Sequence, residues 1–505
     1  MRVGAAQRSA PAYDGTMLRF QLLFVLAPAL GCHGKDTLDS ADATADVVVV
    51  GSGPAGMAAA LSAQEAGASV IVYDRDDEAG LGIIYGGHIL AAGTSYQAAL
   101  GIVDSPEKAE DEWSDITGVP GSDPAVTEYL ENSAATLDWL VSYGLFVGQV
   151  VADVDSGTTA RIHDHNGHTT RESLLSAFHG TMALNTEVEE LLVEDGRVVG
   201  LRWKDLSTGE TGTTKAGAVV VATGGFLRDR DRVDSVRPDL VDRDLLYETN
   251  PESDGGGLGF LDAVGASATS ASNIGLYVHG FQDPEFPTGE AMIFSSLDEQ
   301  LIVDPAGARF MDEGISRSFS FFDHLDSDTA YLVTTGERAA ELYGFRPYYN
   351  WADIDVEESF TMDQLLAMSG AIWTAGSLSE VADLAGIDAT GLQTTVDEVN
   401  GYIALGSTDA FGRAWLTDDP FESDTWWAAK LTPGLAKAFG GIDTDLDARV
   451  LGSDGSAIPG LYAAGEVVGM IPGGGGGSGF TGSVGACYTF GRIAGTKAAA
   501  DAASL

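Results

Sequence analysis

Cysteine is nearly absent: the 505 residues hold two, Cys32 and Cys487. Such a chain can close one intramolecular disulfide at most, and none if Cys32 is modified, so a disulfide scaffold is excluded. No C-x-x-C-H run and no cysteine set for an iron–sulfur cluster occurs, so any electrons the protein handles come from a separate carrier or a diffusible donor. Positive charge is scarce as well. Against 75 acidic residues stand 27 Lys and Arg, a formal net charge of -48, which argues against nucleic acid or an anionic membrane surface as partner. The acids are scattered and read as a solvated surface. The N-terminal apolar run, FQLLFVLAPAL, has about a dozen residues where roughly 20 are needed to span a bilayer. No repeat of fixed period is present.

Glycine is abundant, at 65 residues, and apolar plus aromatic residues make up 44%. With this length, that composition fits a globular, turn-rich α/β protein of two or three domains, one of them discontinuous. The segment Asp46 to Asp74, DVVVVGSGPAGMAAALSAQEAGASVIVYD, joins a buried strand, a glycine turn, a small-residue helix and a second strand ending in an acid. That order predicts a dinucleotide site. Gly51 permits the tight turn, Gly53 lets the backbone approach a pyrophosphate, and Gly56 lets the helix pack close to the sheet. The helix starting near Pro54 and Ala55 aims its N–H groups and positive dipole end at the phosphates. Asp74 follows at the reach of a ribose 2′-hydroxyl.

The N-terminus predicts export. Arg19 precedes the apolar run, which ends in Ala-Leu-Gly-Cys, a pattern resembling a bacterial lipoprotein cleavage box. Residues 1–32 then form a signal peptide, and Cys32 anchors the protein by lipid in the cell envelope. Ala29 stands where leucine is usual, and a plain secretory signal with an incidental cysteine is the alternative. Residues 33–45 read as an acidic tether.

Farther along, EVEELLVEDGRVV (Glu187 to Val199) reads as strand, Asp-Gly turn and strand, and AVVVATGG (Ala218 to Gly225) as a buried strand ending in glycines. A second glycine-acid signature, IPGLYAAGE (Ile458 to Glu466), returns the chain to the nucleotide domain. The sheet is therefore expected to draw on both chain ends. The expected division is a first part over 46–274, an inserted α+β capping domain over 275–431 and a second part over 432–505.

These residues carry a family resemblance. GSGPAGMAAALSAQEAG with Asp74, AAGTSYQAALGIVDSPE, VVVATGGF, SDGGGLGFLDAVGA and GGIDTDLDARVLGSDGSAIPGLYAAGE together resemble the soluble fumarate reductase and succinate dehydrogenase flavoproteins, a family that includes ketosteroid dehydrogenases. The resemblance implies a Rossmann-like FAD-binding domain with an inserted cap, the flavin ring at their junction, and redox chemistry on a carbon–carbon bond. Expected FAD contacts are Gly51, Gly53, Pro54, Ala55, Gly56, Asp74, Gly87, Ala222, Thr223, Gly224, Asp254, Gly465, Glu466, Gly482 and Ser483. Glu466 matches the family acid near the ribityl and pyrophosphate groups. The loop IPGGGGGSGFTGSVGACYTFGR (Ile471 to Arg492) predicts a helix starting near Thr481 whose N–H groups face the flavin.

For catalysis, Arg317 in LIVDPAGARFMDEGISRS falls on the family's proton donor, and His279 on the histidine that contacts one end of the substrate. Guanidinium is an unusual acid, with a pKa above ~12, and needs strong local stabilisation. Arg309 and Glu313 read as cap framework, and Trp426 and Trp427 as packing between cap and nucleotide domain. The series His163, His165, His168 invites a metal reading, but Asp164, Asn166 and Gly167 make it a loop before a helix, and no metal is expected. His88 sits near the expected ring without the residues that accompany a histidyl-flavin. The dicarboxylate clamp is incomplete: Lys437 stands where the family has a second histidine, approximately Ser478 where it has an arginine, and Ile293 and Ser296 near its relay Glu and Arg. Phe480 gives no support to a steroid site either. The sequence thus predicts an exported FAD oxidoreductase acting on a small C=C or CH–CH substrate that is not a typical C4 diacid, served by an external electron carrier. A flavin-holding relay or binding lipoprotein without turnover is the alternative.

Overall fold

Val47, Val48 and Val49 have no solvent exposure, as a parallel strand covered on both faces requires. The strand Asp42–Val50 sends Val47 and Val49 into one core and Val48 and Val50 into the other, the alternation of a pleated backbone. This computed structural model describes residues 42–505 apart from 85–86, 118, 153–158, 286–288, 296, 298–299, 314–328, 346–358, 414, 416–418 and 475–481. The expected signal segment, Cys32, Arg317, Ser478 and Phe480 lie outside the described residues. No helix among the described residues is long and apolar enough to cross a membrane.

Five strands run parallel in the spatial order Ala457–Ala463, Thr211–Val221, Asp42–Val50, Val70–Tyr73 and Thr181–Ala183. Arg449–Leu451 adds an antiparallel edge. The expected strand-turn-strand is a hairpin, Thr186–Glu194 and Arg197–Asp205, joined to the sheet through Thr211–Val221. One sheet is thus built from both ends of the chain. The helices close it the same way. The first, Pro54–Glu65, is covered by the last, Ser483–Ala502. Gly491 and Gly495, one turn apart on one face, make that approach possible: a Cβ at Gly491 would lie 2.4 Å from the Ala55 carbonyl oxygen, and one at Gly495 2.1 Å from that of Ala59.

Among the described residues the second sheet has nine strands, gathered around one long strand, Trp426–Ala438. Ala330–Thr335, Ile372–Ala375 and Ile274–Gln282 pair with it antiparallel, and Leu246–Tyr247 parallel. The expected limits at 274/275 and 431/432 fall within Ile274–Gln282 and Trp426–Ala438. Helices Leu378–Ala385 and Ala389–Leu405 cover this sheet over a separate core that takes Trp426, while Trp427 enters the core shared with the first sheet. The capped α/β architecture is the one the sequence predicts.

A buried ion network braces the cap. Arg309 grips Glu313 through Nε and Nη2, both at 2.6 Å, and reaches Asp409 through Nη1 at 2.7 Å. Arg413 donates to Glu313 at 2.8 Å, and Trp415 Nε1 to Asp409 at 2.9 Å. The Glu313 side chain is 0% exposed. Burial works against the Arg309 charge, but Glu313 and Asp409 outweigh it and raise its pKa. Bidentate pairing of this kind is what keeps desolvated charges tolerable.

Candidate functional site

Successive parallel strands end side by side, and their C-terminal ends line one cavity of about 290 Å³. Glu466 follows Ala457–Ala463, Ala222 to Gly224 follow Thr211–Val221, Gly51 follows Asp42–Val50, and Asp74 follows Val70–Tyr73. At ~4.8 Å per strand, the row from Glu466 to Asp74 covers three spacings, about 14 Å, which suits an elongated ligand and not a compact one.

The glycine turn has the local geometry that its spacing suggests. Gly51 has φ +95°, and a Cβ there would lie 2.4 Å from the Ala222 carbonyl oxygen. A Cβ at Gly56 would lie 1.9 Å from the Gly51 carbonyl oxygen. Around Gly53, by contrast, a Cβ would meet nothing within 4 Å. Protein packing therefore explains the small size of Gly51 and Gly56 but not of Gly53, whose bare backbone faces the cavity. The helix that follows begins with Pro54 and has neither a side-chain cap nor an acid in its first turn. Its positive end is left for an anion in the cavity. The last helix repeats the arrangement: Gly482 is its N-cap, no side chain caps it, and Ser483 and Val484 line the same cavity. This helix begins at Ser483, close to the expected Thr481.

Asp74 is oriented before any ligand arrives. Ser52 donates to Asp74 Oδ2 through its N–H at 2.8 Å and through its hydroxyl, and the Asp76 N–H donates to Oδ1 at 3.0 Å. Ser52 in turn accepts from the Gly80 N–H at 2.7 Å. Oδ1, with a single donor, retains acceptor capacity for a hydroxyl. Beside it, burial, the Asp74 charge and Glu252 push Asp76 up to about 6. Arg75 crosses to the opposite wall, bonding Asp254 at 2.6 Å and Glu252 at 2.9 Å.

At the other end of the row, Glu466 accepts from the Ala438 N–H at 3.0 Å. Burial raises its pKa, while hydrogen bonds from Ala438 and Gly225 and the charge of Lys437 oppose the rise. A Cβ at Gly225 would lie 2.6 Å from the Glu466 carboxyl carbon, so glycine makes room for this acid. Burial, then Glu466, pushes the Cys487 thiol up to about 12.

Of the expected cofactor residues, Gly51, Gly53, Pro54, Ala55, Asp74, Ala222, Thr223, Gly224, Asp254, Gly465, Glu466 and Ser483 line this cavity. Gly56 and Gly482 stand just behind the wall, and Gly87 pairs with His165 through its carbonyl oxygen at 2.9 Å. His279 contributes backbone to Ile274–Gln282; its side chain, like all of Arg317, lies outside the described residues. Ser52, Arg75, Asp76, Thr186 to Val188, Met470 and Cys487 are cavity residues that sequence reasoning passed over. For Ser52 the signal was present, a hydroxyl inside the glycine turn.

The histidine series has other work. His163 bonds Thr94 through Nε2 and the Arg161 carbonyl through Nδ1, both at 2.8 Å, and His165 Nδ1 bonds Thr170 at 3.0 Å. Burial lowers both pKa values, His165 to about 4. His88 pairs with Asp164 at 3.3 Å.

A family model described as an FAD binding domain matches residues 46–481. Fumarate reductase (cytochrome) of Shewanella frigidimarina is 30% identical over 90% of this chain and 77% of its own length. NADH:fumarate oxidoreductase of Klebsiella pneumoniae is 28% identical over 91% of this chain, which spans only 48% of that longer protein. Among solved structures, the open conformation of a flavocytochrome c3 fumarate reductase superposes with a TM-score of 0.68 at 26% identity, covering 91% of this chain and 79% of that one.

Proposed function

The chain belongs to the fumarate reductase and succinate dehydrogenase family of FAD-binding flavoproteins, and from that membership we propose that it reduces an activated carbon–carbon double bond, or runs the reverse desaturation, on a small substrate other than a typical four-carbon dicarboxylate. The observation that carries this reading is the row of strand ends with an uncapped helix at the Gly53 turn, an acid at one end and Glu466 with Lys437 at the other. These residues fit FAD. Gly51 to Ala55 and the first helix would hold the pyrophosphate, Asp74 a ribose hydroxyl, Glu466 the ribityl region, and Ser483 with the last helix the ring. Bound there, FAD supplies a two-electron centre that exchanges hydride with the substrate.

The rest is the work of side chains. Arg317 delivers or removes the proton at the carbon next to the one exchanging hydride, and His279 orients the substrate. Arg309, Glu313, Asp409 and Arg413 fix the cap backbone as far as Glu313, four residues before Arg317 in sequence. Substrate choice follows from the missing fork: with Lys437, Ile293 and Ser296 at the matched positions, a second carboxylate loses the bidentate partners that would favour it. The protein works outside the cytoplasm, anchored by lipid at Cys32, and an external carrier delivers its electrons.

The test is anaerobic. The protein is reduced, then mixed with unsaturated monoacids, amides, enones and fumarate while the flavin absorbance is followed. Reoxidation by at least one non-diacid, faster than by fumarate, is expected. If no unsaturated compound withdraws electrons, turnover on C=C bonds is wrong. An Arg317→Ala variant should lose at least about 10²-fold in that rate, the scale of a positioned acid; reoxidation at the parent rate removes Arg317 from the chemistry.

A further inference from the structure

Among the described residues, two cations line the cavity, Arg75 and Lys437, and they stand at opposite ends of the strand row. Arg75 follows Val70–Tyr73 and is engaged by Glu252 and Asp254. Lys437 is the penultimate residue of the long strand Trp426–Ala438, beyond the Glu466 end. Its neighbour Ala436 also lines the cavity, and the N–H of its other neighbour, Ala438, donates to Glu466 at 3.0 Å. The strand thus delivers an ammonium and an acid-binding N–H to the same wall. The Lys437 charge acts on both Glu466 and Cys487, which puts it within electrostatic reach of the last helix as well.

We infer that Lys437 is a positioning residue that sets the reduction potential of the cofactor, by offsetting the negative charge added when the bound FAD is reduced. The inference rests on the FAD reading above. Taking up a hydride, which is two electrons and one proton, leaves the ring with one more negative charge than before, and no bond to Lys437 forms or breaks. The ammonium acts on the Glu466 carboxyl group, and reduction of a bound flavin would add a negative charge to the same cavity. Burial strengthens that interaction, because the cavity wall replaces water with protein. A lysine serves here as a compact point charge, where an arginine fork would demand a planar acceptor.

The experiment compares Lys437→Met, Lys437→Gln and Lys437→Arg with the parent, and with Lys430→Met. Lys430 lies on the same strand outside the cavity, so its loss changes net charge equally. FAD affinity is measured first by titration, then the midpoint potential by equilibration with redox dyes. Lys437→Met should favour the oxidised form at least about tenfold, a shift of ~30 mV to more negative potential for a two-electron couple. Lys437→Arg should stay near the parent, and Lys430→Met should not move. If Lys437→Met fails to fold or hold FAD, Lys437→Gln is read by the same criterion. A charge-neutral variant with parent FAD affinity and parent potential overturns the inference and leaves the FAD reading intact. A parent protein that takes no FAD sinks both.

Discussion

Replacing Glu313 with glutamine should loosen the cap while leaving the cofactor domain folded. The carboxylate takes two contacts from Arg309 at 2.6 Å, one from Arg413 at 2.8 Å and one from the Ile302 N–H at 3.3 Å, with the side chain 0% exposed. Glutamine removes the charge and turns one oxygen into a donor aimed at guanidinium donors. Arg309 and Arg413 then both lose the buried carboxylate that they share. Removing one partner of a buried pair costs about 3–5 kcal/mol. At roughly 2–4 °C per kcal/mol for a cooperative unit of 150–250 residues, the cap transition should fall by about 6–20 °C. Trp415 donates to Asp409 at 2.9 Å; because Trp113, Trp139 and Trp203 belong to the cofactor domain, its fluorescence is isolated by difference from a Trp415→Phe protein and follows the cap, while FAD release follows the other domain. Separate probes are needed because a multidomain chain need not unfold in one step. A Glu313→Gln protein whose cap melts within about 2 °C of the parent, less than a single kcal/mol would produce, refutes the claim that these charges depend on one another.

Two further outcomes follow from the geometry. Asp76 has its folded pKa raised from 3.8 to about 6, so the folded state binds more protons than the unfolded chain between those values, and stability falls as pH rises through that window. Asp76→Asn should therefore raise the melting temperature of the FAD-free protein at pH 7.5 but not at pH 3.5; equal gains at both pH values would contradict the assignment. Gly495→Val places a Cβ 2.1 Å from the Ala59 carbonyl oxygen, and overpacking of this kind costs about 1–3 kcal/mol or more. It should lower both stability in urea and FAD affinity, since the last helix also brings Ser483 to the cavity; unchanged urea and FAD titrations would show that the two helices do not need their close approach.

The parts of this protein legible in its sequence are those written locally. Val47 to Asp74 spells strand, turn, helix, strand and acid in continuous order, and the second signature at Glu466 could be joined to it because another short apolar strand needed the same two-sided cover. The second sheet was not legible as a sheet. Leu246–Tyr247, Leu301–Val303 and Phe360–Thr361 are two or three residues long, too short for alternation to register. Long-range partners were hidden for another reason: Arg75 meets Asp254 and Arg309 meets Asp409 across 179 and 100 residues, and no local pattern announces which acid an arginine will find. Lys437 was visible only as a departure from the family. Its place on the cavity wall depends on the register of a 13-residue strand with four partner strands among the described residues.

The seam where Ala457–Ala463 joins Thr211–Val221, and Ser483–Ala502 settles on Pro54–Glu65, sets a condition on biosynthesis. A nascent chain that has emerged only as far as residue 450 carries a hydrophobic β-ribbon with one raw margin and a naked alanine-rich helix, the kind of unfinished surface that invites aggregation. Productive maturation must wait for the final segment, and a premature stop there should yield insoluble product, not a weakened protein.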